Sequence, residues 1–184
     1  MSIDTTKIIV AATKSTCWRD SPNNKNSEVI EIGACLLDIK TSKIEHEAET
    51  LVKPKFSRID DYCTEKTGIS QYEAEEKGIP FLEMCAFIKE EFDTSKYAWA
   101  SYGDFARVLI QRQCSKHHVW IPFGKTYINV KYLFALINHF ETQVGLYKAL
   151  EIANLNFVGD QQMALNEAIN SAYLLHYVLS IRHQ

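Results

Sequence analysis

The chain has little net charge, no long apolar run and no paired-cysteine motif, and each shortage excludes a class of function. Its formal net charge is −3 over 184 residues. It therefore lacks the excess of Lys and Arg with which a protein binds nucleic acid through bulk positive charge, and only a local basic groove stays open to it. No apolar stretch approaches the roughly 20 residues of a membrane helix. The opening MSIDTTKIIVAAT has a short apolar run without a basic leader. These two features set the expectation of a cytoplasmic protein with no membrane partner. The five cysteines, Cys17, Cys35, Cys63, Cys85 and Cys114, are widely spaced and form no C-x-x-C pair. Reduced, partly buried thiols are expected rather than a zinc or redox site. Internal repeats, linkers and low-complexity tracts are also missing, so residues 1–184 read as one domain.

What is present is the material of a packed core. Hydrophobic residues make up 46% of the chain and charged residues 23%, which separates it from a disordered segment. Lys7 to Ala12 forms a β-branched run suited to a buried strand, and Arg19 to Ser27, with Pro22 and three Asn, reads as a loop. Glu28 to Ile39 and Lys43 to Val52 suit two further strands of an antiparallel meander. Pro80 opens a helix to about Phe92, because Phe81, Met84, Cys85 and Ile88 share one face at helical spacing. Lys96 to Ser101 is a short strand. Asp104 then opens a helix carrying Phe105, Val108, Leu109 and Arg112. Thr126 to Val130 is a fifth strand leading into a helix over Tyr132 to Phe140. Gly145 to Ala153 and Leu165 to Ile181 are helical, the last with Leu165, Ala168, Ile169, Ala172, Leu175 and Leu179 as its apolar stripe. Three strands followed by alternating helices and strands make a mixed-sheet α/β domain.

Six colinear blocks resemble the DEDDh 3′-to-5′ exonucleases, in the branch that contains the histone-mRNA exonuclease and the sporulation-inhibitor-type proteins. They are IIVAATKSTCW (8–18), EVIEIGACLL (28–37), LVKP with YCTEKTGI (51–54 and 62–69), ASYGDFARVLIQRQC (100–114), IPFGKTYINVKYLFAL (121–136) and GLYKALEIANLNF (145–157). The resemblance implies a ribonuclease-H-like mixed five-stranded sheet flanked by helices. It also implies two Mg²⁺ or Mn²⁺ ions held by an Asp-x-Glu on the first strand, an Asp opening a middle helix and an Asp on the last helix. A His five residues before that last Asp activates water. Hard oxygen ligands suit these cations, and a metal pair stabilises both the attacking and the leaving oxygen at phosphorus.

Residue by residue, the resemblance places Ala12 and Lys14 at the Asp-x-Glu, Asp104 at the middle Asp, Gln162 at the His and Glu167 at the last Asp. A methyl group and an ammonium stand where two carboxylates belong, and an amide cannot take a proton from water at neutral pH. The expectation is a catalytically inactive exonuclease-fold protein with no cofactor of its own, acting by binding nucleic acid ends or a protein partner. The alternative is a working metal-dependent 3′-to-5′ exonuclease on single-stranded RNA or DNA. Thr16, Trp18, Thr67, Gly68 and Ile69 are the nucleotide-pocket positions that the resemblance supplies. Plainer roles are expected beside these: Asp104 as a helix N-cap, Glu167 solvated or paired with Lys14, His117 and His118 as a solvated helix end, and Trp18, Trp99 and Trp120 as packing residues.

Overall fold

The computed structural model describes residues 3–20 and 26–181. Residues 21–25 of the expected loop lie outside the described residues. β1 (Asp4–Ser15), β2 (Val29–Asp38) and β3 (Ile44–Lys53) form the antiparallel meander. β5 (Tyr97–Ser101) and β6 (Tyr127–Asn129) then continue the sheet in parallel from β1. With the two-residue strand β4 (Ile79–Pro80), the order across the sheet is β4-β3-β2-β1-β5-β6. β1 is central, so Ile8 to Ala11 are buried on both faces, and this explains the unbroken apolar run in place of an alternating one.

Alternation along β1 sorts its side chains between two cores. Ile8, Val10 and Ala12 join α5 (Val130–Ile137), α6 (Leu146–Ile152) and α7 (Ala164–Ser180) on one face. Ile9 and Ala11 join α3 (Phe81–Phe92) and α4 (Phe105–His117) on the other. On the first face α7 comes down onto β2 at Gly33. A Cβ there would lie 2.1 Å from the Leu165 nitrogen, so only glycine permits the approach.

Several expectations change. The sheet has a sixth strand, β4 (Ile79–Pro80), which pairs in parallel with β3. Two residues ending in a proline leave almost no pattern to read, and proline is tolerated there because β4 lies at the edge. Pro80 therefore sits in β4 and precedes the helix it was expected to begin. α1 (Asp61–Thr67) and α2 (Gln71–Lys77), each under two turns long, had no expectation. α5 begins at Val130 because Asn129 accepts from the Tyr132 nitrogen at 2.9 Å and caps it, which ends the strand early. α4 is rotated from its expected face. Ala106, Leu109, Ile110, Gln113 and Cys114 are buried, while Phe105 and Val108 are exposed.

Candidate functional site

β1 and β5 run parallel, and Lys14 and Asp104 lie at or just beyond their carboxyl ends, where open α/β sheets usually place their sites. Ala12 and Lys14 share the β1 face that looks toward α7. Ala12 is buried opposite Gly33 of β2, and Lys14 is paired in register with Glu31. The Lys14 ammonium donates to Glu167 Oε2 of α7 at 2.9 Å and reaches the Gln161 carbonyl at 3.4 Å. Both side chains of this ion pair are largely shielded from water. Of the two roles expected for Glu167, pairing with Lys14 is the one the structure shows.

Asp104 follows β5 and sits at the N-cap position of α4, but its side chain makes no capping bond, contrary to expectation. Both oxygens are engaged elsewhere. Oδ1 accepts from Arg107 Nε at 2.9 Å and pairs with Arg107 Nη2 at 2.8 Å, and Oδ2 accepts from Asn129 Nδ2 at 3.0 Å. A guanidinium one turn along the helix competes with the backbone for the carboxylate and wins. Arg107 and Asn129 were not singled out in the sequence.

Gln162 lies just before α7 and faces α1 instead of Lys14. Its Oε1 lies 2.9 Å from where a Gly68 Cβ would stand, and its Nε2 reaches the Glu65 carbonyl at 3.5 Å. Thr67, Gly68, Ile69 and Gln162 together line a cavity of about 430 Å³, whose charged walls are Glu31, Glu49, Glu73, Asp160 and Lys77. The structure thus gathers three of the expected pocket residues and one of the expected site residues. Thr16 and Trp18 do not line this cavity. Thr16 is fully buried, and its Oγ1 accepts from the Glu28 nitrogen at 2.9 Å. Thr67 Oγ1 donates to the Cys63 carbonyl at 2.8 Å. Both hydroxyls therefore serve the fold.

Glu31 escaped the sequence reading. Its Oε2 accepts from the Ala164 nitrogen at 2.9 Å, so a strand carboxylate caps the first turn of α7. Burial pushes its carboxyl above the usual range against the Ala164 hydrogen bond, Glu49 and Glu167 push the same way as burial, and Lys14 opposes them. A charged residue inside the apolar EVIEIGACLL was the available signal.

Two further expectations fail at the end of α4. His117 is packed rather than solvated, its ring stacked 5.2 Å from Phe81 with Phe56 at 5.8 Å. Trp120 is 87% exposed, whereas Trp99 packs as expected against Phe123 at 4.4 Å.

The donor set can be compared with the two divalent ions that the resemblance implies. Among the described residues no group of three His, Cys, Asp or Glu lies close enough to hold a metal ion. Lys14 takes the Glu167 oxygen, and Arg107 and Asn129 take those of Asp104. These residues do not fit a metal pair, and no chemical step is derived through one.

A sequence profile described as Exonuclease, RNase T, matches residues 16–134, a stretch that contains Asp104 and lies between Lys14 and Gln162. The chain is 28% identical to mouse (Mus musculus) ERI1 exoribonuclease 2 and 25% identical to the human (Homo sapiens) protein of that name. In each case 91% of this chain is covered. It is 38% identical to the 3′-5′ exonuclease Snipper of Drosophila melanogaster over 45% of its length. The chain spans less than a third of the length of these relatives, 28%, 27% and 30% respectively. The fold is similar to the nuclease domain of 3′hExo, a DEDDh family member bound to rAMP, with a TM-score of 0.86 at 21% identity, covering 97% of this chain and 94% of that one. It is also similar to cell-death related nuclease 4, with a TM-score of 0.80 at 19% identity, covering 95% and 64%. These findings overturn the expectation that the chain has no cofactor of its own, because the matched family consists of exonucleases that need divalent metals. With its profile match over well more than half of its length, this chain belongs to the exonuclease family.

Proposed function

We propose that this chain is a catalytically inactive member of the exonuclease family that acts by binding. The observation that carries the reading is the Lys14–Glu167 ion pair. An ammonium at the end of β1 repels an incoming cation by about 4 kcal/mol per unit charge at 4 Å and intermediate dielectric. It also occupies an oxygen that a metal would need. Ala12 brings no oxygen, and Gln162 brings no base.

A protein partner is favoured over a nucleic acid end. The cavity beside the ion pair has four carboxylates on its walls against one ammonium, Lys77, and that ammonium is itself paired with Glu73 at 2.9 Å. Phosphates approach such walls unfavourably. The second reading, capture of a nucleic acid end, draws on the same cavity, because Thr67, Gly68 and Ile69 line it as the family resemblance implies. A cytoplasmic location belongs to the proposal and is supported by the five cysteines, all of them free thiols.

The experiment is incubation of the purified chain with end-labelled single-stranded RNA and DNA in Mg²⁺ or Mn²⁺, with binding followed in parallel by mobility shift. Intact substrate supports the reading. Processive shortening from the 3′ end rejects it, and a mobility shift without shortening selects the second reading.

A further inference from the structure

On the sheet face opposite the Lys14–Glu167 pair, a cavity of about 390 Å³ opens between the end of β3, the start of α3 and the end of α4. Its size falls within the range of pockets that hold a ligand or a side chain. Pro54, Pro80, Phe81 and Leu82 form an apolar floor, and Lys53 and Lys55 stand at the rim. Lys55 and Lys116 both lie over the ring of Phe56, at 5.2 and 4.0 Å from its centroid. The His117 ring joins Phe56 to Phe81.

The polar groups of this pocket are unbalanced. Glu28 also lines it, but its carboxylate is already spent. It accepts from the nitrogens of Lys55, Phe56 and Ser57 at 3.1, 2.8 and 2.6 Å and from Ser57 Oγ at 2.6 Å. Gln113 is only 3% exposed, and its Oε1 accepts from the Val29 nitrogen at 2.9 Å. That bond fixes which end of the amide is the oxygen and leaves the Nε2 donor buried without a partner. His117 Nε2, one turn along α4, is buried without a partner too. Orphaned buried polar atoms are costly and call for an explanation. Here the Gln113 donor and ammonium groups surround an apolar floor, and the one carboxylate is used up. The missing ligand must bring acceptors, negative charge and an apolar group.

We infer that this pocket receives an acidic segment of a partner protein, with one aliphatic or aromatic side chain of the segment on the Pro54–Phe81–Leu82 floor and its carbonyl or carboxylate groups toward Gln113, Lys53 and Lys55. The inference deepens the protein-binding reading and rests on it only for the kind of partner, since the pocket lies away from the Lys14–Glu167 pair. A concave apolar floor suits a side chain better than the flat face of a base. The exposed ring of Phe56, beside His117, already carries two ammonium groups. The lysines supply the charge complementarity that steers and selects partners.

Fluorescence anisotropy with the full chain tests this. The probe is a short fluorescein-labelled, end-blocked peptide with one leucine between pairs of aspartates, and the controls replace the leucine by serine or the aspartates by lysines. Saturable binding is expected, weakened about tenfold or more by either control. The exposed-site variants Lys55→Glu and Leu82→Asp should weaken it by a similar factor and leave the melting profile unchanged. Unlabelled single-stranded oligouridylate should not compete. The proposal is overturned by no saturable binding up to about 1 mM peptide, by equal binding of the serine control, by indifference to both substitutions, or by displacement with oligouridylate. All four outcomes are distinct from the cleavage assay, so the pocket and the loss of catalysis can fail separately.

Discussion

Around the carboxyl ends of β1 and β5, Lys14 meets Glu167, Asp104 meets Arg107 and Asn129, and Glu31 caps α7. On the α3–α4 face, Gln113 and His117 each keep a buried nitrogen without a partner beside an apolar pocket with lysines at its rim. The first region carries the residues that the family resemblance marks as catalytic, and their charges are satisfied from within the chain. The second carries no expected catalytic residue and leaves buried polar atoms unmet. A site that awaits something from outside shows it in unspent hydrogen-bonding capacity, and by that criterion the open site is the one behind the sheet.

The largest effect on this comparison comes from the packing that holds the α7 side together. Gly33→Ala drives a Cβ into the Leu165 backbone and should cost about 3 kcal/mol or more. Chemical denaturation checks it. A loss under about 1 kcal/mol would mean that α7 is free to shift and that the Lys14–Glu167 contact is not fixed by the fold.

Lys14→Met should come next. It removes the ammonium that faces both Glu167 and Glu31 and leaves carboxylates in a shielded site, with an expected cost of about 1–2 kcal/mol. Equal stability of the variant in urea titration would show that the groove does not depend on the pair. The combined change Lys14→Met and Glu167→Leu should recover part of the loss, because no unpaired charge remains at the pair itself.

The smallest effect belongs to the opposite face. Burial, with help from Lys55, holds the His117 imidazole below its ordinary range. The unfolded chain therefore takes up the proton first as pH falls. The stability that neutral His117 contributes is present above about pH 6.5 and is lost below it. His117→Phe keeps a ring against Phe81 and removes this titration. Melting temperatures should then fall less between neutral pH and about pH 5 in the variant than in the natural chain. An unchanged difference would place the imidazole in water.

The elements with a strong period were legible in the sequence. β1, α3 and α7 follow from apolar runs and helical spacing, and the family blocks brought Lys14 and Glu167 into one argument before any distance was known. α1 and α2 were not legible from periodicity because each is too short to show it. Their caps were the signal instead: Asp60 accepts from the Cys63 nitrogen, and Ser70, three residues before Glu73, accepts from its nitrogen. Asp104 was misjudged because an N-cap position does not reveal that Arg107 will bind the same carboxylate. The pocket behind the sheet was invisible for a different reason. It joins Glu28, Lys55, Phe81 and His117 from distant parts of the chain, and its meaning lies in which hydrogen bonds are left unmade.

Loss of catalysis at the site of Lys14 and Glu167 is decided by release of nucleotides from the 3′ end of labelled single-stranded RNA and DNA in Mg²⁺ or Mn²⁺. The natural chain should be compared with the combined variant Ala12→Asp, Lys14→Glu, Gln162→His and Glu167→Asp. Groups that act as a unit are strongly non-additive, so only the full set is expected to work. The natural chain and every single change should release nothing, and the combined variant should release nucleotides in a metal-dependent way. Metal-dependent release by the natural chain, abolished by Asp104→Asn, would contradict this.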